Sequence, residues 1–287
     1  MASSIGVSSR LRDLASWLVP EAWIGPASEV VYRVRNRAWT NRLAANASLA
    51  GKHRGARRCF VLGNGPSLNT QDLSKLAGEI TICANSFFQH PAVDQIRPTY
   101  CCVGDADFIA DKPNAVAWLQ ELERKLPEAT LFFRPWAPEV FERHGLFRNH
   151  TLHFIDSVYK VPHLSLVHLD LARPMNVGYT TGSGFAIPLA LYLGFPEIYL
   201  LGFDANWLAD IHKGQLHFYQ TNPHFPHFDH TATEGHTMEN QLRTMHLEFR
   251  SHRFLRELAG ERGQKLVNAT NGGWLDMYER VSYESLF

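Results

Sequence analysis

From residue 58 onward, short apolar runs alternate with longer amphipathic ones, and this alternation restricts the fold more than any single motif. Strand-like runs fall at 58–63, 79–83, 99–103, 129–133, 151–155, 197–201 and 265–268. Helix-like runs fall near 70–77, 114–126, 183–194 and 237–259. Within the second of these, Val116, Leu119, Leu122 and Leu126 recur at helical spacing. Strands separated by helices predict an α/β fold, Rossmann-like, with a mainly parallel sheet covered by helices on both faces. Such sheets take ligands outside the carboxyl ends of their strands. The residues that follow four of the runs are therefore candidates: Gly63-Asn64, Ala84-Asn85, Gly104-Asp105 and Gly202-Phe203-Asp204.

The first of these ends opens the turn Gly63-Asn64-Gly65-Pro66-Ser67-Leu68, ahead of Thr70–Leu76, which reads as the start of a helix. Glycines let a chain bend and let a ligand approach the backbone. Pro66 fixes one φ, and Ser67 or Asn69 can cap the helix. Backbone N–H groups at such a helix start form a seat for a phosphate. The third glycine of a dinucleotide fingerprint is replaced by Leu68, and no Gly-Lys-Ser/Thr follows. A plain strand-to-helix turn is the competing reading. Thr180-Thr181-Gly182-Ser183-Gly184 opens a second helix start of the same kind, with simple capping as its alternative. Asn85 can offer its amide to a base or sugar, or cap a turn. Asp105-Ala106-Asp107 has the form of the metal-binding DxD of many glycosyltransferases, but hard cations need further ligands and no metal is expected.

Residues 205–235 are aromatic, rich in histidine and broken by proline, which predicts a lid or binding loop. His224, His227 and His230 are spaced by three, but Pro226 between them forbids a regular helix, and no cysteine joins them as a zinc ligand. His236, just before the last long helix, can accept a proton at physiological pH.

The formal charge of zero conceals an asymmetry. Residues 1–58 hold ten Lys/Arg and three Asp/Glu, and the remainder holds 18 and 25. Trp17, Trp23 and Trp39 interleave with the arginines, so residues 1–57 read as a basic, aromatic helical arm before a catalytic domain at 58–287. An arm of this kind suits an anionic membrane surface, or packs on the core or on a second subunit in a homo-oligomer. Cys59, Cys83, Cys101 and Cys102 form no CxxC pair, which fits a reduced, cytoplasmic setting. Charged residues such as Arg10, Arg12, Asp13 and Glu21 interrupt any leader-like apolar run. No nucleic-acid partner is expected.

The order of these motifs resembles the bacterial sialyltransferases of glycosyltransferase family 42 and the broader MptE-like group, named for an archaeal 6-hydroxymethylpterin diphosphokinase. The resemblance rests on Gly63–Leu68, Asn85, Thr181-Gly182-Ser183, the stretch Leu193–Asp204 and Gly235-His236-Thr237. It spans about residues 58–287. It implies a metal-independent, inverting transfer from a CMP-activated acidic sugar (sialic acid, a related nonulosonate or a Kdo-type sugar) to a surface glycan or glycolipid, on the inner face of the cell membrane. The matching family positions place Gly63, Asn64, Gly65, Pro66, Ser67 and Asn85 against the CMP part and make His236 the general base. Tyr219 and His212 stand as candidates for the leaving-group contacts. Asp105 replaces a family asparagine, and the Thr-Ser-Gly triplet appears as Thr181-Gly182-Ser183. Two further readings remain: an ATP- and Mg-dependent diphosphokinase of the pterin type, and a nucleotide-binding scaffold without catalysis.

Overall fold

The computed structural model describes Val30, Val34 and residues 36–157, 167–177, 182–210, 217–219 and 237–287. In chain order its regular elements are α1 (Arg37–Leu43), β1 (Cys59–Leu62), β2 (Thr81–Ala84), α2 (Val93–Ile96), β3 (Tyr100–Cys102), α3 (Pro113–Lys125), β4 (Thr130–Phe133), α4 (Ala137–His144), β5 (Leu152–Phe154), α5 (Ala186–Leu193), β6 (Glu197–Leu201), α6 (Trp207–Asp210), α7 (Met238–Glu261), β7 (Lys265–Asn268) and β8 (Glu279–Arg280). The strands form one open sheet in the order β5-β4-β3-β2-β1-β6-β7-β8, parallel throughout. The chain builds outward from β1 to β5, then returns to the other side of β1 to lay down β6. That reversal puts a topological switch point between the ends of β1 and β6, the place where open α/β sheets receive ligands.

Side-chain alternation splits the core into two layers. Cys59 and Val61 of β1 face one layer with Ile198 and Leu200, while Phe60 and Leu62 face the other with Leu131 and Phe133. The first layer is capped by α5, whose residues are buried throughout, and by Leu255 and Ala259 of α7. The second is capped by Trp118, Leu119 and Leu122 of α3 and by Phe141 of α4. The fold is therefore the Rossmann-like α/β sheet expected, and all seven strand-like runs contain strands.

The helix expected over 70–77 is instead two 3-10 turns, Pro66–Thr70 and Leu73–Leu76. Asp72 separates them, its carboxylate accepting from Ser74 N and starting the second turn. Neither Ser67 nor Asn69 caps a helix with its side chain. Residues 36–57, read as part of the arm, pack on the sheet: Leu43 and Leu49 are buried, and Asn46 donates to the carbonyls of Phe154 and Leu171 at 2.6 and 2.8 Å. The four cysteines are free and buried. Among the described residues no helix is long and apolar enough to cross a membrane.

Candidate functional site

The turn after β1 lies directly against the end of β6. Gly63 N donates to Leu201 O at 2.8 Å and Gly65 N to Gly202 O at 2.9 Å. A Cβ on Gly65 would stand 2.8 Å from Gly202 O and overlap the Asp204 carboxylate outright. The backbone at Gly65 has φ −65, which any residue adopts, so glycine is required here for closeness and not for conformation. The Asp204 carboxylate accepts from Ser67 N at 3.2 Å and from Ser67 Oγ at 2.7 Å. The negative charge at this turn is thus the protein's own, and the N–H groups of Gly63, Gly65 and Ser67 are engaged within the fold. Asp204 is locked from the other side as well. Trp274 N donates to its carbonyl at 2.7 Å, and a Cβ on Gly273 would come within 2.5 Å of the same oxygen.

Asn64 sits in the crevice between these ends. Its Nδ2 donates to Ala84 O at 3.0 Å, while its Oδ1 is buried and has no hydrogen-bond partner among the described residues. The neighbouring strand end carries Asn85, held at φ 46 in the left-handed region that asparagine tolerates. Its Oδ1 accepts from Gly104 N at 3.3 Å. The two amides therefore stand side by side on adjacent strand ends.

Three residues from the expected lid, 217–219, close over this pair. Phe218 N donates to Asn64 O at 2.9 Å, Asn69 Nδ2 donates to Phe218 O at 2.9 Å, and the Phe218 ring packs edge-on against Phe87 and His90. His217 stacks on Tyr219. Burial lowers its pKa, which keeps the ring neutral. The Tyr219 phenol lies close enough to the Ser86 side chain and to Asp105 to feel both. Burial and the Asp105 charge raise the phenol, so it stays protonated and able to donate. Burial also raises the Asp105 carboxyl, opposed by the hydrogen bond from Asp107 N at 3.1 Å. Among the described residues no three His, Cys, Asp or Glu side chains group as metal ligands do.

Beyond β3 the rim continues with Arg134 and Asp156, at the ends of β4 and β5. Their ion pair is 2.6 Å long and buried on both sides, and the guanidinium lies over the rings of Trp136 and Phe185. Beyond β6 the rim is walled by α6 and α7. Trp207 Nε1 donates to Glu248 Oε2 at 3.1 Å, and one turn further His252 Nδ1 meets the Tyr278 hydroxyl at 2.9 Å.

The structure thus brings Asn64, Asn85, Asp105, Asp204, Ser67 and Tyr219 to one rim. Gly182 and Ser183 fall in a single 3-10 turn, Gly182–Phe185, ahead of α5. His236, His212 and Thr181 lie outside the described residues, as do His224, His227 and His230 and most of the expected lid. Sequence reading missed Trp207, Glu248 and the Arg134–Asp156 pair, and saw His217 only as one of a dense histidine set in the loop. The last pair was findable, since both residues directly follow strand-like runs. Glu248 was not, because a glutamate within a charged helix reads as a solvated one.

No protein-family model and no curated protein matches the chain. A solved structure with a similar fold is that of the MAf glycosyltransferase from Magnetospirillum magneticum AMB-1, 16% identical, with a TM-score of 0.48, covering 87% of this chain. This chain spans 39% of that one.

Proposed function

We propose that the protein is a glycosyltransferase that takes a CMP-activated acidic sugar in the crevice between the ends of β1 and β6. The observation that carries this reading is the buried Asn64 Oδ1 at the switch point of the sheet, which has no partner among the described residues. A buried acceptor without a donor costs about 1–3 kcal/mol, which a ligand N–H or O–H would recover. Asn85 stands beside it to fix the same base or sugar. Tyr219 supplies a protonated phenol for the departing phosphate, with little help needed because a nucleotide phosphate already leaves readily. Transfer inverts the anomeric carbon, and the acceptor is a surface glycan or glycolipid. The basic, aromatic N-terminal segment brings the enzyme to an anionic membrane where such an acceptor resides.

A thermal-shift series with CMP, CDP, UDP, GDP and ATP, each with and without Mg²⁺, tests the donor. CMP is expected to raise the midpoint without metal, by an amount equivalent to about 2.7 kcal/mol at a hundred times Kd. Asn64→Ala is expected to abolish the shift. Stabilisation by ATP with Mg²⁺ alone would replace this reading with the diphosphokinase one.

A further inference from the structure

α7 changes character along its length, on the side that faces the protein. Its C-terminal half turns Leu255 and Ala259 into the core, with Leu258 packed beside them. On the same helical stripe, the stretch before Leu255 carries Gln241, Glu248, Ser251 and His252, of which Gln241, Ser251 and His252 are buried. An inward stripe of a surface helix is ordinarily apolar. Ser251 and His252 are accounted for by hydrogen bonds to Leu247 O and Tyr278. Glu248 is different: among the described residues its one hydrogen bond is from Trp207 Nε1. Glu248 is half-buried, and a single neutral donor is a poor exchange for the water such a carboxylate loses. Burial accordingly holds the Glu248 carboxyl above its usual range.

Glu248 is also well placed. Trp207 opens α6, three residues past Asp204 at the end of β6, so the Trp207–Glu248 pair follows the strand on the side of β1 away from β2 and β3, whose ends carry Asn85 and Asp105. The ends of β2 and β6 are two strand spacings apart, about 10 Å, which is the scale of a nucleotide sugar. The alternative base, His236, precedes the first residue of α7, Met238. Met238 is ten residues from Glu248, or about 15 Å along the helix axis, and it is 53% exposed, as is Leu242.

We infer that Glu248 is the proton acceptor for the incoming hydroxyl, held by Trp207 at the acceptor side of the crevice. This inference rests on the transferase reading above. In the step, the acceptor oxygen forms a bond to the anomeric carbon, and the bond from that carbon to the phosphate oxygen breaks. Its electron pair leaves with CMP, and the hydroxyl proton passes to Glu248. Water serves as acceptor when no glycan is present, and loses its proton in the same way.

The test measures CMP release from CMP-sialic acid and CMP-Kdo by the full chain, by Glu248→Gln and by His236→Ala, with and without sodium azide. Glutamine retains an oxygen for Trp207, so the fold and the CMP-induced thermal shift should match those of the unsubstituted protein. Glu248→Gln is expected to slow release by at least about 100-fold. Azide, a nucleophile with no proton to lose, should restore much of the rate and yield the glycosyl azide. Release by Glu248→Gln within a few-fold of the unsubstituted protein would overturn the assignment while leaving the transferase reading intact. A loss that azide fails to restore, or an azide-restored loss in His236→Ala instead, would also overturn it. If the unsubstituted protein releases CMP from neither donor, the transferase reading falls, and the role of Glu248 with it.

Discussion

Gly65 shows how a motif can be correct in position and different in cause. In the sequence, two glycines after an apolar run mean a tight turn open to a ligand. In the structure the close approach at Gly65 is made by Gly202 and Asp204, the end of the neighbouring strand. Gly65→Ala is therefore expected to destabilise the fold by about 1–3 kcal/mol, as overpacking of a dense site does. The midpoint of thermal unfolding should fall by a few degrees, roughly 2–4 °C per kcal/mol. Asp204→Ala should lose the bonds to Ser67, yet the double substitution should cost less than the two singles together, because the second change removes the obstacle to the first. Strict additivity would show that the alanine is accommodated elsewhere. The positions of Asn64, Asn85, Asp105 and Asp204 were legible because strand ends in a parallel sheet share one rim. The Asp204–Ser67 lock was not, because 137 residues separate its partners and no local pattern records a contact at that distance.

At the scale of elements, period and length decided what could be read. Seven strands and three helices announced themselves by apolar runs and by helical spacing. β8, two exposed residues, carries no hydrophobic signal, and the 3-10 turns after β1 and β2 are too short for periodicity to build. α7 was visible as a helix, but the polar residues of its inward stripe were not, since helical periodicity is read over the whole length. That stripe has a measurable consequence. Full burial lowers the His252 pKa from 6.5 to about 4, so the folded protein holds the ring neutral while the unfolded chain takes up a proton. The stabilisation is complete above pH 6.5 and is lost as pH falls towards 4, at most about 3 kcal/mol from this one group. Burial lowers His53, His90, His153 and His217 in the same direction. Denaturant titrations between pH 7.5 and 4.5 should show stability falling with acid below pH 6.5, and His252→Gln should flatten that fall. A stability constant from pH 6.5 to 4.5 would mean that the ring is accessible to solvent.

For the whole molecule, the question is what the basic N-terminal segment does, and its charge divides it in two. Residues 1–35 hold four Lys/Arg and three Asp/Glu, whereas residues 36–58 hold six Lys/Arg and no Asp/Glu. The positive charge thus belongs mainly to residues 36–58, which pack on the sheet. There Gly51 N and His53 N donate to Tyr192 O and Leu193 O, His53 Nε2 meets the Tyr100 hydroxyl at 2.7 Å, and Arg58 pairs with Glu79. Removing residues 1–57 would strip Leu43 and Leu49 from the core, at about 2–5 kcal/mol for each large apolar side chain lost, and would orphan the carbonyls of Phe154 and Leu171. A fair test of membrane contact therefore deletes residues 1–35 alone, which takes away Trp17 and Trp23 but leaves the exposed Lys52, Arg54 and Arg57. Each basic residue near an anionic surface contributes about 1 kcal/mol, so Gln at those three positions should weaken binding to phosphatidylserine vesicles by about 100-fold at low salt. Deleting 1–35 should remove a further part that salt does not screen, the part due to buried aromatic surface. Co-sedimentation with anionic and neutral vesicles, across a salt series, separates the two. If the triple Gln protein binds anionic vesicles as well as the unsubstituted protein does, the charge is not a membrane contact, and the segment serves only to complete the core.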